Sequence, residues 1–268
     1  MRIDVNGVSL AVEEAGRGVP LVLLHGFPLS SHMWEPVLPA LAEVARVITV
    51  DLRGFGNSDA PAAGYTMDAL AEDVLALTEV LGLARFALAG HSMGGYVAFR
   101  VAARASQRLA ALILVDSRAE ADDEAGRRRR EQAIGHILSG GRDEFLDHFL
   151  PKLVSAETRQ RWPRLLQELR AMAQGVGDHV LVGCLAGMRE RPDSRPLLPS
   201  LTMPVLAMVG EEDDLTPVAC ARTMAETAPG GSLAIIPGAG HTPPVERPVA
   251  TAEAVVAFLR STLLHHRG

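Results

Sequence analysis

Six short, largely apolar runs constrain the fold of this chain more than any other feature: residues 21–24, 47–50, 86–89, 112–115, 205–209 and 233–236. A strand that is apolar at successive positions has no face to give to water, so it belongs in a sheet covered on both sides. Between the runs lie stretches with apolar residues at helical spacing, over residues 37–45, 67–81, 97–103 and 218–227, and a final one follows over 251–264. In the second of these, Asp68, Glu72 and Asp73 fall opposite the apolar positions. This alternation predicts an α/β fold, a mostly parallel, doubly wound sheet with helices on both faces. At the start, residues 3–5 and 8–12 flank Asn6-Gly7, a strong signal for an antiparallel hairpin.

The alternation stops for residues 118–200, which are rich in Arg, Glu, Gln and Leu and contain no convincing strand. Helical spacing recurs there over residues 131–138, 143–149, 164–172 and 179–188, interrupted by Gly and Pro. The expected organisation is a core of residues 1–117 and 201–268 with a helical insertion, 118–200, between them. Neither repeats nor low-complexity tracts are visible.

Composition narrows the class. A chain of 268 residues with 48% hydrophobic content can bury a large core, and only 4% aromatic residues makes that core aliphatic. A net charge of −6 gives no reason to expect nucleic acid. The basic run Arg127 to Arg130 has Asp122, Asp123, Glu124 and Glu131 around it and is read as a solvated helix face. Cys184 and Cys220 stand far apart in unlike contexts, which suggests neither a disulfide framework nor a metal site. The amino-terminal residues begin as a strand without the apolar core of a leader, and no run approaches a membrane span; a cytoplasmic protein is the expectation.

The chemistry is carried by Gly90-His91-Ser92-Met93-Gly94, a G-x-S-x-G sequence between an apolar run and a helix-like stretch. A serine in such a turn is held in a tight backbone with its hydroxyl exposed at the end of the sheet, and a Cβ at either glycine would collide with neighbouring elements. Serine needs a base to become a nucleophile, and the base needs an orienting acid. In parallel sheets such groups gather in loops after the strands. Residues 205–209 lead into Glu211-Glu212-Asp213-Asp214, and residues 233–236 lead into Gly238-Ala239-Gly240-His241. His241 is therefore the candidate base among nine histidines, with His32, His136, His148 and His179 in less suitable contexts and His265 and His266 read as tail residues. For the acid, Asp213, Asp214 and Asp116 are all open. Pro243 and Pro244 fit the first turn of the next helix. The backbone N–H groups of Met93 and Phe27 are the candidate donors to an oxyanion.

These stretches together resemble the α/β-hydrolase superfamily, in the capped serine-esterase and perhydrolase-like branch. The resemblance rests on HGFP at 25–28, DLRGFGNSD at 51–59, GHSMGG at 90–95, GEEDDLTP at 210–217 and GAGHTPPVERP at 238–248. It implies the α/β-hydrolase fold, with residues 118–200 as a helical cap. The family spacing G-x-x-D-x-x-x-P selects Asp213 as the acid. The turn at Asp51, Arg53 and Gly54 is implied to be structural.

Relatives that open epoxides or remove halide carry Asp where this chain has Ser92, so the resemblance points to a carboxylic-ester hydrolase acting on small acyl esters through an acyl-enzyme. Lactonase, carbon–carbon bond hydrolase and perhydrolase chemistry are the alternatives, the last suggested by Pro28 after Phe27. A ligand receptor of the same fold is the non-enzymatic alternative. Ser92, Asp213 and His241 are the expected catalytic residues, and Phe27, Trp34 and Met93 are expected to line the acyl pocket. No cofactor or metal is implied, and the expected partner is a small-molecule ester rather than nucleic acid or membrane.

Overall fold

The apolar runs pair into one eight-stranded sheet in the order β1-β2-β4-β3-β5-β6-β7-β8. The strands are β1 (Arg2–Val5), β2 (Val8–Gly16), β3 (Val19–Leu24), β4 (Ala45–Val50), β5 (Phe86–His91), β6 (Leu109–Val115), β7 (Val205–Gly210) and β8 (Gly231–Ile236). This arrangement comes from a computed structural model that describes residues 1–264; His265 and His266 lie outside the described residues. β1 and β2 form the expected hairpin about Asn6-Gly7, and β2 runs antiparallel to β4. All later pairings are parallel.

Side chains alternate across the sheet, so each apolar strand feeds two cores. Val22, Leu24, Leu88, Leu112 and Leu114 enter one layer, with Leu70, Val74 and Leu77 of helix Met67–Val80 and Val97 of helix Met93–Ala105. Leu21, Leu23, Ala87, Ala89 and Ile113 enter the other, with Met33 and Trp34 and with Val255 and Phe258 of helix Pro248–Leu259. Coverage on both faces is what makes alternation impossible to read as amphipathic strands. Thr66 caps the helix Met67–Val80, its hydroxyl accepting the Ala69 N–H at 3.1 Å.

Several boundaries differ from the sequence reading. The stretch 37–45 is a 3₁₀ turn, Ser31–Val37, followed by a short helix, Leu38–Ala42, because Ala45 already pairs with Val19 in the sheet. The last helix begins at Pro248, and a separate short helix, Pro243–Glu246, starts on the proline pair.

Between β6 and β7 the described residues form helices Glu124–Leu138, Arg142–Phe149, Ala156–Arg161, Pro163–Gln174 and Asp178–Arg189 and no strand. Their apolar residues join both layers, Val180 and Leu185 on one side and Leu146 and Leu169 on the other. No helix among the described residues is long and apolar enough to cross a membrane.

Candidate active site

β5 and helix Met93–Ala105 meet at Ser92, which adopts φ 49° and ψ −111°. A non-glycine residue there stores about 1–3 kcal/mol of strain. The neighbours hold it: the Ser92 N–H donates to the Val115 carbonyl at 2.9 Å, and the Ser92 carbonyl accepts from Ser117 Oγ at 3.0 Å. The two flanking glycines are sterically required. A Cβ on Gly90 would lie 2.3 Å from the Gly94 carbonyl oxygen, and one on Gly94 would lie 2.6 Å from that of Leu24 in β3. The turn thus crosses the start of its own helix and the adjacent strand.

β7 and β8 bring the other groups to the same end of the sheet. His241 Nε2 lies 2.9 Å from Ser92 Oγ, and His241 Nδ1 lies 2.8 Å from Asp213 Oδ2. A carboxylate can only accept, so the imidazole proton sits on Nδ1 and the Nε2 lone pair faces the serine hydroxyl. Asp213 also accepts the Leu215 N–H at 2.8 Å and the Thr216 N–H at 3.1 Å on Oδ1, and the Thr216 hydroxyl at 2.5 Å on Oδ2. Burial opposes its ionisation, yet the His241 ring and these donors hold the carboxyl well below the usual carboxylate range.

Of the other acid candidates, Asp214 is exposed and Asp116 is fully buried. Asp116 Oδ1 accepts the Gly210 N–H at 2.8 Å, and burial, reinforced by the charge of Asp213, pushes its carboxyl well above the ordinary value. Asp116, Asp213 and His241 each have one ligand-type atom within 4.8 Å of the others. The Asp213 oxygens and the His241 nitrogens are directed at one another, at Ser92 and at N–H and O–H donors, a set built for hydrogen bonding rather than for a cation.

Three residues at the site, Thr216, His91 and Glu246, lie inside the matched stretches but were given no role by them. Thr216 supports Asp213, as described. His91 fixes the loop of the base, its Nε2–H donating to the His241 carbonyl at 2.6 Å. Burial, and then the adjacent His241, push the His91 ring down to about 3, so it is neutral. Glu246, only 5% exposed, accepts the N–H groups of Gly240 at 2.9 Å and Thr242 at 3.2 Å, and that of Ser155 at 2.8 Å.

The loop after β3 is similarly braced. His25 Nδ1–H donates to the Gly26 carbonyl at 3.0 Å, and its Nε2 accepts the Leu52 N–H at 3.0 Å. Asp51 accepts the Ser31 and Asn57 N–H groups at 2.8 and 2.9 Å, and Arg53 pairs with buried Asp73. The Phe27 N–H has no acceptor among the described residues. Met93 opens its helix, so its N–H has no intrahelical acceptor either.

A cavity of about 390 Å³ opens over Ser92 and His241, walled by Phe27 and Tyr96 from the sheet side and by Phe145, Phe149, Leu185 and Met188 from the helical segment. Two expectations about its lining are corrected. Trp34 is 2% exposed and packs with Leu29, Met33 and Val37 in the layer under the sheet, because the 3₁₀ turn points it inward. The Met93 side chain is fully buried in the opposite layer, since the first turn of its helix faces the sheet. Neither lines the cavity.

Comparison with known proteins agrees with this architecture. A family profile described as alpha/beta hydrolase fold matches residues 19–248. A thermophilic esterase from Thermogutta terrifontis, solved with malate bound, superposes with a TM-score of 0.93 at 36% identity, covering 98% of this chain and 99% of that one. The enol-lactonase from Burkholderia xenovorans LB400 superposes with a TM-score of 0.90 at 28% identity, over 97% and 99% of the two chains. The dihydrolipoyllysine-residue acetyltransferase component of the acetoin cleaving system from Pseudomonas putida is 34% identical over 97% of this chain and 69% of its own length.

Proposed function

The chain belongs to the α/β hydrolase fold family, a hydrolase superfamily with esterases among its members, and on that footing we propose that it hydrolyses carboxylic esters of small acids through an acyl-enzyme on Ser92. The observation that carries this reading is the continuous relay from Ser92 Oγ to His241 Nε2 at 2.9 Å and from His241 Nδ1 to Asp213 Oδ2 at 2.8 Å. Ser92 Oγ attacks the ester carbonyl carbon while its proton passes to His241 Nε2. The carbonyl π electrons move to oxygen, and the Phe27 and Met93 N–H groups receive the oxyanion. Such a donor is worth roughly 3–4 kcal/mol in the transition state.

As the tetrahedral adduct collapses, the bond to the alcohol oxygen breaks and that oxygen takes the proton from His241. A water then attacks the acyl-enzyme with His241 again as base, releasing the acid and restoring the Ser92 hydroxyl. Asp213 keeps the imidazole in the productive tautomer and stabilises its protonated form. Residues 118–200 act as a cap that supplies the apolar walls and excludes bulk water. The same steps open a lactone, whose alcohol stays tethered to the acid; the likeness to an enol-lactonase favours including cyclic esters in the substrate range.

The test is turnover of p-nitrophenyl acetate and butyrate, with mass spectrometry for an acyl adduct on Ser92. Sustained hydrolysis is expected, lowered on the order of 10³-fold or more in Ser92→Ala. Hydrolysis that survives Ser92→Ala excludes this nucleophile, and a single burst without turnover favours a ligand-binding role.

A further inference from the structure

We propose that the substrate carries a free carboxylate within a few bonds of the scissile ester, and that Arg118, Arg129 and Lys152 receive it; this rests on the esterase reading above. The chain as a whole is acidic, with a net charge of −6, yet the cavity over Ser92 is lined by four permanent cations, Arg118, Arg129, Arg130 and Lys152, against one carboxylate, Asp122. That carboxylate is already shared. Arg130 pairs with it from one side, and Arg191, stacked 4.1 Å over the Tyr96 ring, reaches it at 2.7 Å from the other. Burial opposes ionisation of Asp122, but the two guanidiniums hold its carboxyl below the usual range, so the cluster is a net cation.

Arg118, Arg129 and Lys152 make no ion pair among the described residues. Arg118 is half-buried and gives an N–H to the Leu215 carbonyl, while Arg129 and Lys152 stand at the rim. Elsewhere in the helical segment Arg128 pairs with Glu124, Arg142 with Asp178, Arg161 with Glu157 and Arg170 with Asp147, while Arg127 and Arg159 make no ion pair among the described residues and lie outside the cavity. Three cations without an ion pair, Arg118, Arg129 and Lys152, thus share the lining of the one cavity over Ser92. In a recess with apolar walls such charge raises the local concentration of anions and favours those that pair with it. Phe27, Phe145 and Phe149 form the apolar wall, their rings 5.5–6.3 Å apart between centroids. A ligand matching both is a short hydrocarbon chain with an ester at one end and a carboxylate at the other.

The experiment compares methyl hydrogen adipate with methyl hexanoate, and carboxymethyl butyrate with ethyl butyrate, by acid release at constant pH. The first pair places the anion on the acyl side and the second on the alcohol side. In at least one pair the anionic ester is expected to have a kcat/KM about tenfold above its neutral partner at low salt, with most of that advantage lost at about 0.5 M NaCl. The Arg129→Gln/Lys152→Gln protein is expected to reduce the anionic-to-neutral ratio at least fivefold, on the order of the loss of two screened charge contacts. Neutral esters hydrolysed as well as anionic ones in both pairs, or a ratio untouched by the double substitution, overturn the inference and leave the esterase reading standing. If no ester is turned over, calorimetry with adipate decides separately. Adipate binding that weakens in the double variant upholds the anion site while the esterase reading fails, and no adipate binding overturns both.

Discussion

His91 and His241 are joined through the backbone: the His91 imidazole donates from Nε2 to the His241 carbonyl at 2.6 Å, with the two rings 5.1 Å apart. The residue before the proposed nucleophile therefore ties the strained turn to the loop of the proposed base. Gly26 closes the pocket around the same ring, since a Cβ there would lie 2.3 Å from His91 Nδ1.

Replacing His91 tests this tie and has a pH signature. Its folded-state value is about 3, against an ordinary 6.5. Between those values the unfolded chain binds a proton that the folded protein refuses, so stability is present above pH 6.5 and lost as pH falls toward 3. The slope from one such group reaches about 1.4 kcal/mol per pH unit. His91→Leu is expected to flatten that limb in urea midpoints taken across the range. At neutral pH it should cost about 1–3 kcal/mol by leaving the His241 carbonyl unpaired. An unchanged acid limb would remove His91 as its source.

Asp213 and Asp116 are expected to separate cleanly. Asp213→Asn disrupts the tautomer of His241 and should lower kcat on the order of 10³–10⁴-fold. Asp116→Asn keeps an oxygen for the Gly210 N–H and should stay within about threefold of the parent, as expected for a group outside the relay. The sign for stability is opposite to that of His91. A buried carboxyl with a raised value stabilises fully below its unfolded value, and that contribution is lost as pH rises through the folded one. Asp116→Asn should therefore raise the urea midpoint near neutrality. Loss of turnover in Asp116→Asn with retention in Asp213→Asn would move the acid to β6.

Thr216→Val removes the hydroxyl that donates to Asp213 Oδ2 but keeps the volume and the backbone N–H at 3.1 Å. A hydrogen bond to a charged group is worth about 1.5–3 kcal/mol. kcat is expected to fall roughly tenfold with little change in KM, since the bond acts on the relay and not on substrate. A rise in KM at constant kcat would place Thr216 in substrate binding instead.

What the sequence discloses about this molecule follows from the range of the forces involved. Strands covered on both faces are largely apolar, so the runs in β3 to β8 can be read directly; the loops after them point to Ser92 and His241 and leave Asp213, Asp214 and Asp116 open, a choice that only the family spacing narrows to Asp213. Residues whose role depends on a distant partner were silent. His91 acts on a carbonyl 150 residues away and Glu246 on an N–H 91 residues away, so although both fall within the matched stretches, their neighbours in sequence do not show what either bonds to. Helix Ala156–Arg161 was missed because its single buried residue, Thr158, is not apolar. Trp34 was misplaced because an aromatic residue near the HGFP loop looks the same whether it faces ligand or core; the direction of the 3₁₀ turn decides.

Glu246 links the proposed cap to the base. Its carboxylate takes the Ser155 N–H from the helical segment and the Gly240 and Thr242 N–H groups on either side of His241, while the Thr242 hydroxyl donates to the Leu153 carbonyl at 2.8 Å. Glutamine can accept at only one end, so Glu246→Gln sets its amide against a buried N–H. The expected cost is about 1–3 kcal/mol, or a Tm lower by roughly 3–8 °C. Because the contacts flank His241, kcat should fall as well, on the order of tenfold, if the loop loses its register over Ser92. A lower Tm with unchanged kcat would make the link purely structural. An unchanged Tm would mean that the cap and the base loop are held together without the Glu246 carboxylate, by the Thr242 hydroxyl on the Leu153 carbonyl and by the apolar contacts of Leu153 and Val154 with Ala239 within one buried layer.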